Sequence, residues 1–177
     1  MANPQTAPER RPPLVDIDDA ELVRRAQLGS VAAFETLVVR YGARLHRYLR
    51  IELRDESDAH DAMQESLTAA WRGLPALRHA DRFWPWLAGI ASHKAADIHR
   101  RRPRADVVEP ADSREDDLRL ETRQALSALP AQQREALLLR FLLGLSEEET
   151  AQALGVRVGT VKSRCSRARR ALLEELR

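Results

Sequence analysis

Apolar residues recur at intervals of three and four along almost the whole chain, and no run of alternating β-branched residues is long enough to form a sheet. This restricts the chain to an all-α fold. The pattern predicts a first helix from about Asp18 or Asp19, carrying Leu22, Val23 and Ala26 and stopped by Gly29. Ser30 is placed to cap a long second helix, with Ala33, Phe34, Leu37, Val38, Tyr41, Leu45, Tyr48 and Leu49 on one stripe. Ser57 is placed to cap a third, with Ala62, Leu67, Ala70 and Trp71 on its apolar side, ending near Gly73 and Pro75. After a loop, Pro85 suits the first turn of a fourth helix that carries Trp86, Leu87, Ile90, Ala91 and Ile98 into a run of arginines.

Pro103 ends that helix, and the following stretch, with Pro110, many acids and few large apolar residues, reads as a linker over 105–117. The chain therefore divides into a proline-rich leader over 1–15 and two small helical domains, 16–104 and 118–177, which a length of 177 residues accommodates. In the second, helices are predicted over 118–129, closed by Pro130, and over 131–143, closed by Gly144. The leader has no apolar signal core, and the most apolar stretch, 136–145, is broken by Arg140 and is about half the length of a bilayer span. A single cysteine, Cys165, excludes an internal disulfide and fits a cytoplasmic protein with no direct membrane insertion.

The total charge of +2 hides blocks of opposite sign. Residues 55–71 hold five acids and no Lys or Arg. Residues 72–104 hold eight Lys/Arg against Asp81 and Asp97, a net of +6, and 105–121 hold seven acids against two arginines, a net of −5. Residues 155–177 return to +5, with seven Lys/Arg against Glu174 and Glu175. An isolated basic block is usually a solvated helix face. Two, separated by an acidic stretch, offer two surfaces on which counterion release from phosphate can drive nucleic-acid binding.

The second block has a shape to match. Ser146 and Glu149 form a capping box, so a short helix starts there and runs through Ala151 and Leu154 to Gly155, which can take the positive φ of a tight turn. A second helix from Gly159 or Thr160 completes a helix-turn-helix. Val161, Cys165, Ala168 and Leu172 make its inward stripe, with Cys165 as a small core residue. Thr160, Lys162, Ser163, Arg164, Arg167 and Arg170 are left for a major groove, where arginine pairs bidentately with guanine and the others hold phosphate.

These residues lead to a family. The runs Leu129-Pro130, Gln133-Arg134-Glu135-Ala136, Leu145-Ser146-Glu147-Glu148-Glu149-Thr150-Ala151, Leu154-Gly155 and Gly159-Thr160-Val161-Lys162-Ser163-Arg164 resemble region four of bacterial sigma factors of the extracytoplasmic-function (ECF) type. Asp58-Ala59-His60-Asp61-Ala62-Met63-Gln64-Glu65 resembles the acidic helix of region two, and Phe83, Trp86-Leu87, Ile90-Ala91, Asp97 and Arg100-Arg101 resemble the helix after it. The ordered set is far more specific than any one motif. The resemblance implies that region two binds core RNA polymerase and the melted minus-10 element, that region four grips the minus-35 element as duplex, and that an anti-sigma factor is a further partner. Asp58, Asp61, Gln64 and Glu65 are then the polymerase-docking candidates. Arg78, His79, Trp84, Lys94, Asp97, Arg100 and Arg101 are the candidates for the melted strand, with Trp84 as the stacking ring and Trp86 as core. Val158, Thr150 and His93 depart from the usual family residues.

Two other classes are weighed against this. A dimeric helix-turn-helix regulator that binds duplex DNA without polymerase explains neither the Asp58 helix nor the basic block over 72–104. An enzyme needs a placed nucleophile or metal set. Asp58 with Asp61, and His46, His60, His79, His93 and His99, show no metal-ligand spacing with a third partner, so no catalytic residue, metal or cofactor is expected.

Overall fold

The computed structural model describes residues 14–101 and 120–176, and the predicted linker and most of the predicted leader lie outside them. Within the described residues all regular structure is helical: α1 (Asp19–Gln27), α2 (Val31–Leu53), α3 (Glu56–Gly73), α4 (Phe83–Arg101), α5 (Leu120–Ala128), α6 (Ala131–Leu137), α7 (Glu147–Leu154) and α8 (Val158–Glu175). Short 3-10 turns at Leu14–Asp16, Leu74–Ala76 and Ala80–Arg82 join or precede them. Leu14, inside the expected leader, already packs against the core.

Most boundaries follow from caps. The Asp18 carboxylate accepts from the Glu21 amide at 2.8 Å, and the Ser30 hydroxyl accepts from the Ala33 amide at 3.3 Å, starting α1 and α2 as expected. The third helix starts earlier than Ser57 allows. Arg54 ends α2 with a φ of 60° and Asp55 is extended, so the chain has turned two residues sooner and the Asp55 carboxylate caps the Asp58 amide at 2.8 Å. The helix expected to run unbroken over 131–143 widens after α6 into a π turn, Leu138–Leu142, before Gly144 exits with a φ of 70°.

Helices α1–α4 form one bundle around Leu22, Val23, Leu37, Leu45, Tyr48, Leu49, Phe83 and Leu87, all buried. In the second unit, α7 and α8 pack small residues, Ala151, Val161 and Cys165, against Ala136 of α6. Burial pushes the Cys165 thiol up, as expected of a core residue and not of a nucleophile. The two helical domains are not separate bodies here: Leu126, Leu129, Leu137, Leu138, Leu139, Leu143 and Ala153 continue the apolar core of the first bundle.

Polar groups secure that contact. Arg134 of α6 donates from Nη2 to Glu52 Oε1 at 2.9 Å and from Nε to Oε2 at 3.1 Å, with side chains 3% and 4% exposed. The fork geometry and near-complete burial make this the costliest cross-domain contact to break. His99 Nε2 lies 3.3 Å from the same Glu52 Oε1. Ser92 of α4 donates to Glu135 at 2.6 Å, while Arg44 and the Trp84 indole both donate to the Leu143 carbonyl, at 2.7 and 3.0 Å.

Candidate polymerase and nucleic-acid interface

On α3, Asp61, Gln64 and Glu65 are exposed and Asp58 is half-buried, while Ala59, Ala62, Ser66 and Ala70 face the bundle. The periodicity that buries the small residues thus presents the acids together. Gln64 Nε2 lies 2.9 Å from His60 Nε2, and Glu65 accepts from Lys94 Nζ of α4 at 3.0 Å. Beside the acids, Val31, Phe34, Val38, Val39, Leu67 and Trp71 line a shallow apolar groove, with Phe34 and Trp71 in ring contact at 5.0 Å. This groove was not foreseen, although Val39 at 83% exposed is an aliphatic residue with no intramolecular reason to be there.

The residues expected to meet a melted strand fall into two groups. Arg78 and His79 line a cleft of about 480 Å³ together with Arg82, Pro85, Trp86, Ile90 and His93. Lys94, Asp97, Arg100 and Arg101 continue along α4 beyond it, with Asp97 and Arg100 paired. The two indoles, both half-buried, have different surroundings. Trp84 is stacked on Tyr41, with centroids 4.6 Å apart and planes at 13°, and Arg44 lies 5.0 Å from its ring centroid. Trp86 is the ring that lines the cleft, packed against Gly73, where a Cβ would stand 3.1 Å from the indole. Sequence periodicity places both rings on the helix but cannot tell which one a neighbouring helix will cover.

The helix-turn-helix has the expected construction. The Ser146 hydroxyl accepts from the Glu149 amide at 3.1 Å while the Glu149 carboxylate accepts from the Ser146 amide at 2.7 Å. Gly155, at a φ of 62°, ends α7. Helix α8 begins at Val158, one residue before the expected start at Gly159, with Arg157 as its cap residue and no side-chain cap bond. Its outer face shows Lys162, Ser163, Arg167 and Arg170 exposed, with Thr160 and Arg164 half-buried. Several are held by neighbours: Lys162 pairs with Glu147 at 3.3 Å, Arg164 donates to Gln132 Oε1 at 2.8 Å, and Arg167 donates to the Ser163 carbonyl at 3.2 Å.

No group of three His, Cys, Asp or Glu side chains among the described residues could hold a metal ion, and no described helix is long and apolar enough to cross a membrane. Two interlocked helical units, one with an acidic helix beside a basic aromatic cleft and one with a cationic helix-turn-helix, also match known families. The description Sigma-70 region 2 covers residues 37–105, and Sigma-70 region 4 covers 119–172. The chain is 37% identical over 158 residues to the ECF RNA polymerase sigma factor SigM of Mycobacterium tuberculosis, covering 85% of this chain and 81% of that one. It belongs to the ECF sigma factor family. The ECF sigma-E factor of Salmonella typhimurium is 36% identical over 180 residues, covering 88% of this chain and 93% of that protein. Among solved structures, CnrH in complex with the cytosolic domain of CnrY superposes with a TM-score of 0.73 at 33% identity, covering 89% of this chain and 96% of CnrH. The sigma factor RpoE of Bartonella quintana, in complex with the anti-sigma factor NepR, gives 0.74 at 28%, covering 82% and 98%.

The contact between the two units was the largest omission of sequence reasoning. Glu52 carried a signal: it falls three residues after Leu49 and seven after Leu45, so an acid continues the buried stripe of α2. A buried ionised acid is costly unless it is paired, which points to a cation from elsewhere in the chain.

Proposed function

We propose that this chain is an alternative sigma factor that brings core RNA polymerase to a specific set of promoters and assists their melting, with its chemistry left to the polymerase. Asp58, Asp61, Gln64 and Glu65 of α3 dock the polymerase. Arg78, His79, Trp84, Lys94, Asp97, Arg100 and Arg101 hold the non-template strand of the minus-10 element, and the cleft beside Trp86 receives an extruded base. Unstacking costs a few kcal/mol, which a stacking ring and a cationic track offset at roughly 1–3 kcal/mol per base. Thr160, Lys162, Ser163, Arg164, Arg167 and Arg170 of α8 read and grip duplex at the minus-35 element. The domain boundaries follow this division, with region two over 16–104, the linker over 105–117 and region four over 118–177.

What supports this reading is the presence on one chain of two unlike cationic surfaces: an exposed helix face on α8, and a basic cleft walled by Trp86 on one side and by Glu149, Gln152 and Ala153 of α7 on the other. A duplex-binding regulator has use for the first only. The factor works in the cytoplasm, and an anti-sigma factor is its second partner, as NepR is for the similar solved RpoE. In vitro transcription from a library of genomic fragments tests the reading. Core polymerase with this chain is expected to start at a defined set of promoters sharing two spaced motifs. Duplex binding by the chain alone, with no redirected initiation, would establish a regulator instead.

A further inference from the structure

The cleft of about 480 Å³ beside Trp86 has the chemistry of a small-ligand pocket. Pro85, Ile90 and the Trp86 indole give it an apolar lining, and the indole is held in place by the room that Gly73 leaves and by Phe83, whose ring centroid is 6.1 Å away. Arg78 and Arg82 come from one short segment, which Gln27 fixes by donating from Nε2 to the Leu74 and Leu77 carbonyls at 3.0 and 2.8 Å. Arg78 makes no ion pair or hydrogen bond among the described residues. Arg82 meets its carboxylates, Asp81 and Glu149, only at 3.8 and 3.7 Å, beyond hydrogen-bond length. Two guanidinium groups are therefore available to an anion. From the α7 side Gln152 adds an exposed amide, and Glu149 adds a carboxylate of which one oxygen is taken by the Ser146 amide.

We propose that this cleft is a binding site for a free purine nucleotide: the base packs on the Trp86 indole, the terminal phosphate is gripped by Arg78 and Arg82, and the polar groups of α7 meet the base edge. Sites for small ligands run to roughly 300–1,000 Å³ and combine an apolar lining with a few convergent polar groups, as here. Arginine supplies the paired donors that a phosphate takes, and a base stacks on an indole whatever its identity, with the larger purine covering more of the ring. Guanine suits the edge contact, because its ring N–H and amino group can donate to Glu149 while Gln152 can both donate and accept. The two arginines stand in one segment, which fits a phosphate at one end of the ligand, whereas a unit inside a strand carries phosphate away on both sides. Such a site does not depend on the promoter-factor reading, although a nucleotide bound there takes the place of an extruded base.

Isothermal titration calorimetry of the full chain with guanosine monophosphate tests the site and is expected to show saturable binding at one site per chain. Inorganic phosphate and guanosine, each lacking half of the contacts, should bind at least about tenfold more weakly. Arg78→Gln should weaken the nucleotide about tenfold and Gln152→Ala about threefold. Both residues are exposed, so these two variants decide the question whether or not Trp86→Leu, expected to cost about tenfold, folds. Arg167→Gln with Arg170→Gln, on α8 and outside the cleft, should leave binding unchanged. No saturable binding, phosphate bound as tightly as the nucleotide, or an α8 variant that loses as much as Arg78→Gln would each overturn the site. A single-stranded trinucleotide that binds through Arg78 more tightly than the mononucleotide would overturn the free-nucleotide assignment and leave a strand site. Transcription with core polymerase is a separate readout: a wild type that never redirects initiation defeats the promoter-factor reading and has no bearing on nucleotide binding.

Discussion

The molecule has two cationic surfaces, and its fold treats them in opposite ways. On α8 the basic side chains project from a helix whose inner stripe is Val161, Cys165 and Ala168, small residues that need little partner surface, and Lys162, Arg167 and Arg170 stay exposed. On α4 the inner stripe is shared: Leu87 and Ala88 serve the bundle while Gly89 and Ser92 serve the second unit, so part of the basic surface lies beneath α7. A duplex is a rigid ligand that can be met by a ready-made face. A melted strand exists only after work has been done on DNA.

The largest effect expected from breaking this contrast comes from the cross-domain ion pair. Glu52→Ala leaves Arg134 buried without its partner and should cost about 3–5 kcal/mol, read as a lowered denaturation midpoint. Replacing both, Glu52→Leu with Arg134→Met, should recover most of the loss, because the desolvation of two charges disappears together. A cost below about 1 kcal/mol for Glu52→Ala would mean that the pair behaves as a solvent-exposed one and that the two surfaces are equally free.

Next in size is Arg164→Glu on the open face. It should weaken minus-35-dependent transcription by roughly 1–3 kcal/mol, about five- to 150-fold, while pull-down of core polymerase is unchanged. Equal loss of both would remove α8 from its separate role. Asp61→Ala with Gln64→Ala should lower polymerase capture by about 1 kcal/mol, roughly fivefold, with an unaltered circular dichroism spectrum. Unaltered capture would take α3 off the docking surface.

Smaller effects concern the contact between α7, α6 and α4. The Thr150 hydroxyl is buried in α7 with no hydrogen-bond partner, so Thr150→Val should raise thermal stability by about 1 kcal/mol. The smallest concerns pH. Burial holds the Glu135 carboxyl above its usual range; the hydrogen bond from Ser92 eases this, the charge of Glu52 adds to it, and Arg164 and His93 oppose it. Its pKa is raised where α6 meets α4, so the packed units take up a proton more readily than separated ones do. The contact should therefore tighten as pH falls toward the ordinary carboxylate range and loosen as pH rises. Scattering of Glu135→Gln should lose that part of the dependence.

What could be read from the chain beforehand depended on distance along it. The Ser146–Glu149 capping box, the Gly155 turn and the inward place of Cys165 are settled within one or two helical turns, and they appear in the structure as expected. The cap of α3 moved from Ser57 to Asp55 because the positive φ at Arg54 belongs to the preceding helix exit, which periodicity does not register. Trp84 and Trp86 share a helix, and only the position of Tyr41 and of the Leu143 carbonyl decides which ring stays in the cleft. Glu52 and Arg134 are 82 residues apart in sequence. The place of Glu52 on the buried stripe of α2 marks it as an acid in need of a partner, but only the folded chain shows that Arg134 is the one it meets.

One surface is proposed to hold opened strands for the polymerase and the other to recognise intact duplex, and permanganate reactivity of thymines at a promoter identified by transcription tells the two apart. With core polymerase and this chain together, thymines of the minus-10 element should become reactive, and Arg100→Glu with Arg101→Glu should abolish that reactivity while upstream duplex protection persists. Reactivity retained in that double variant, or protection and reactivity lost together, would contradict the division.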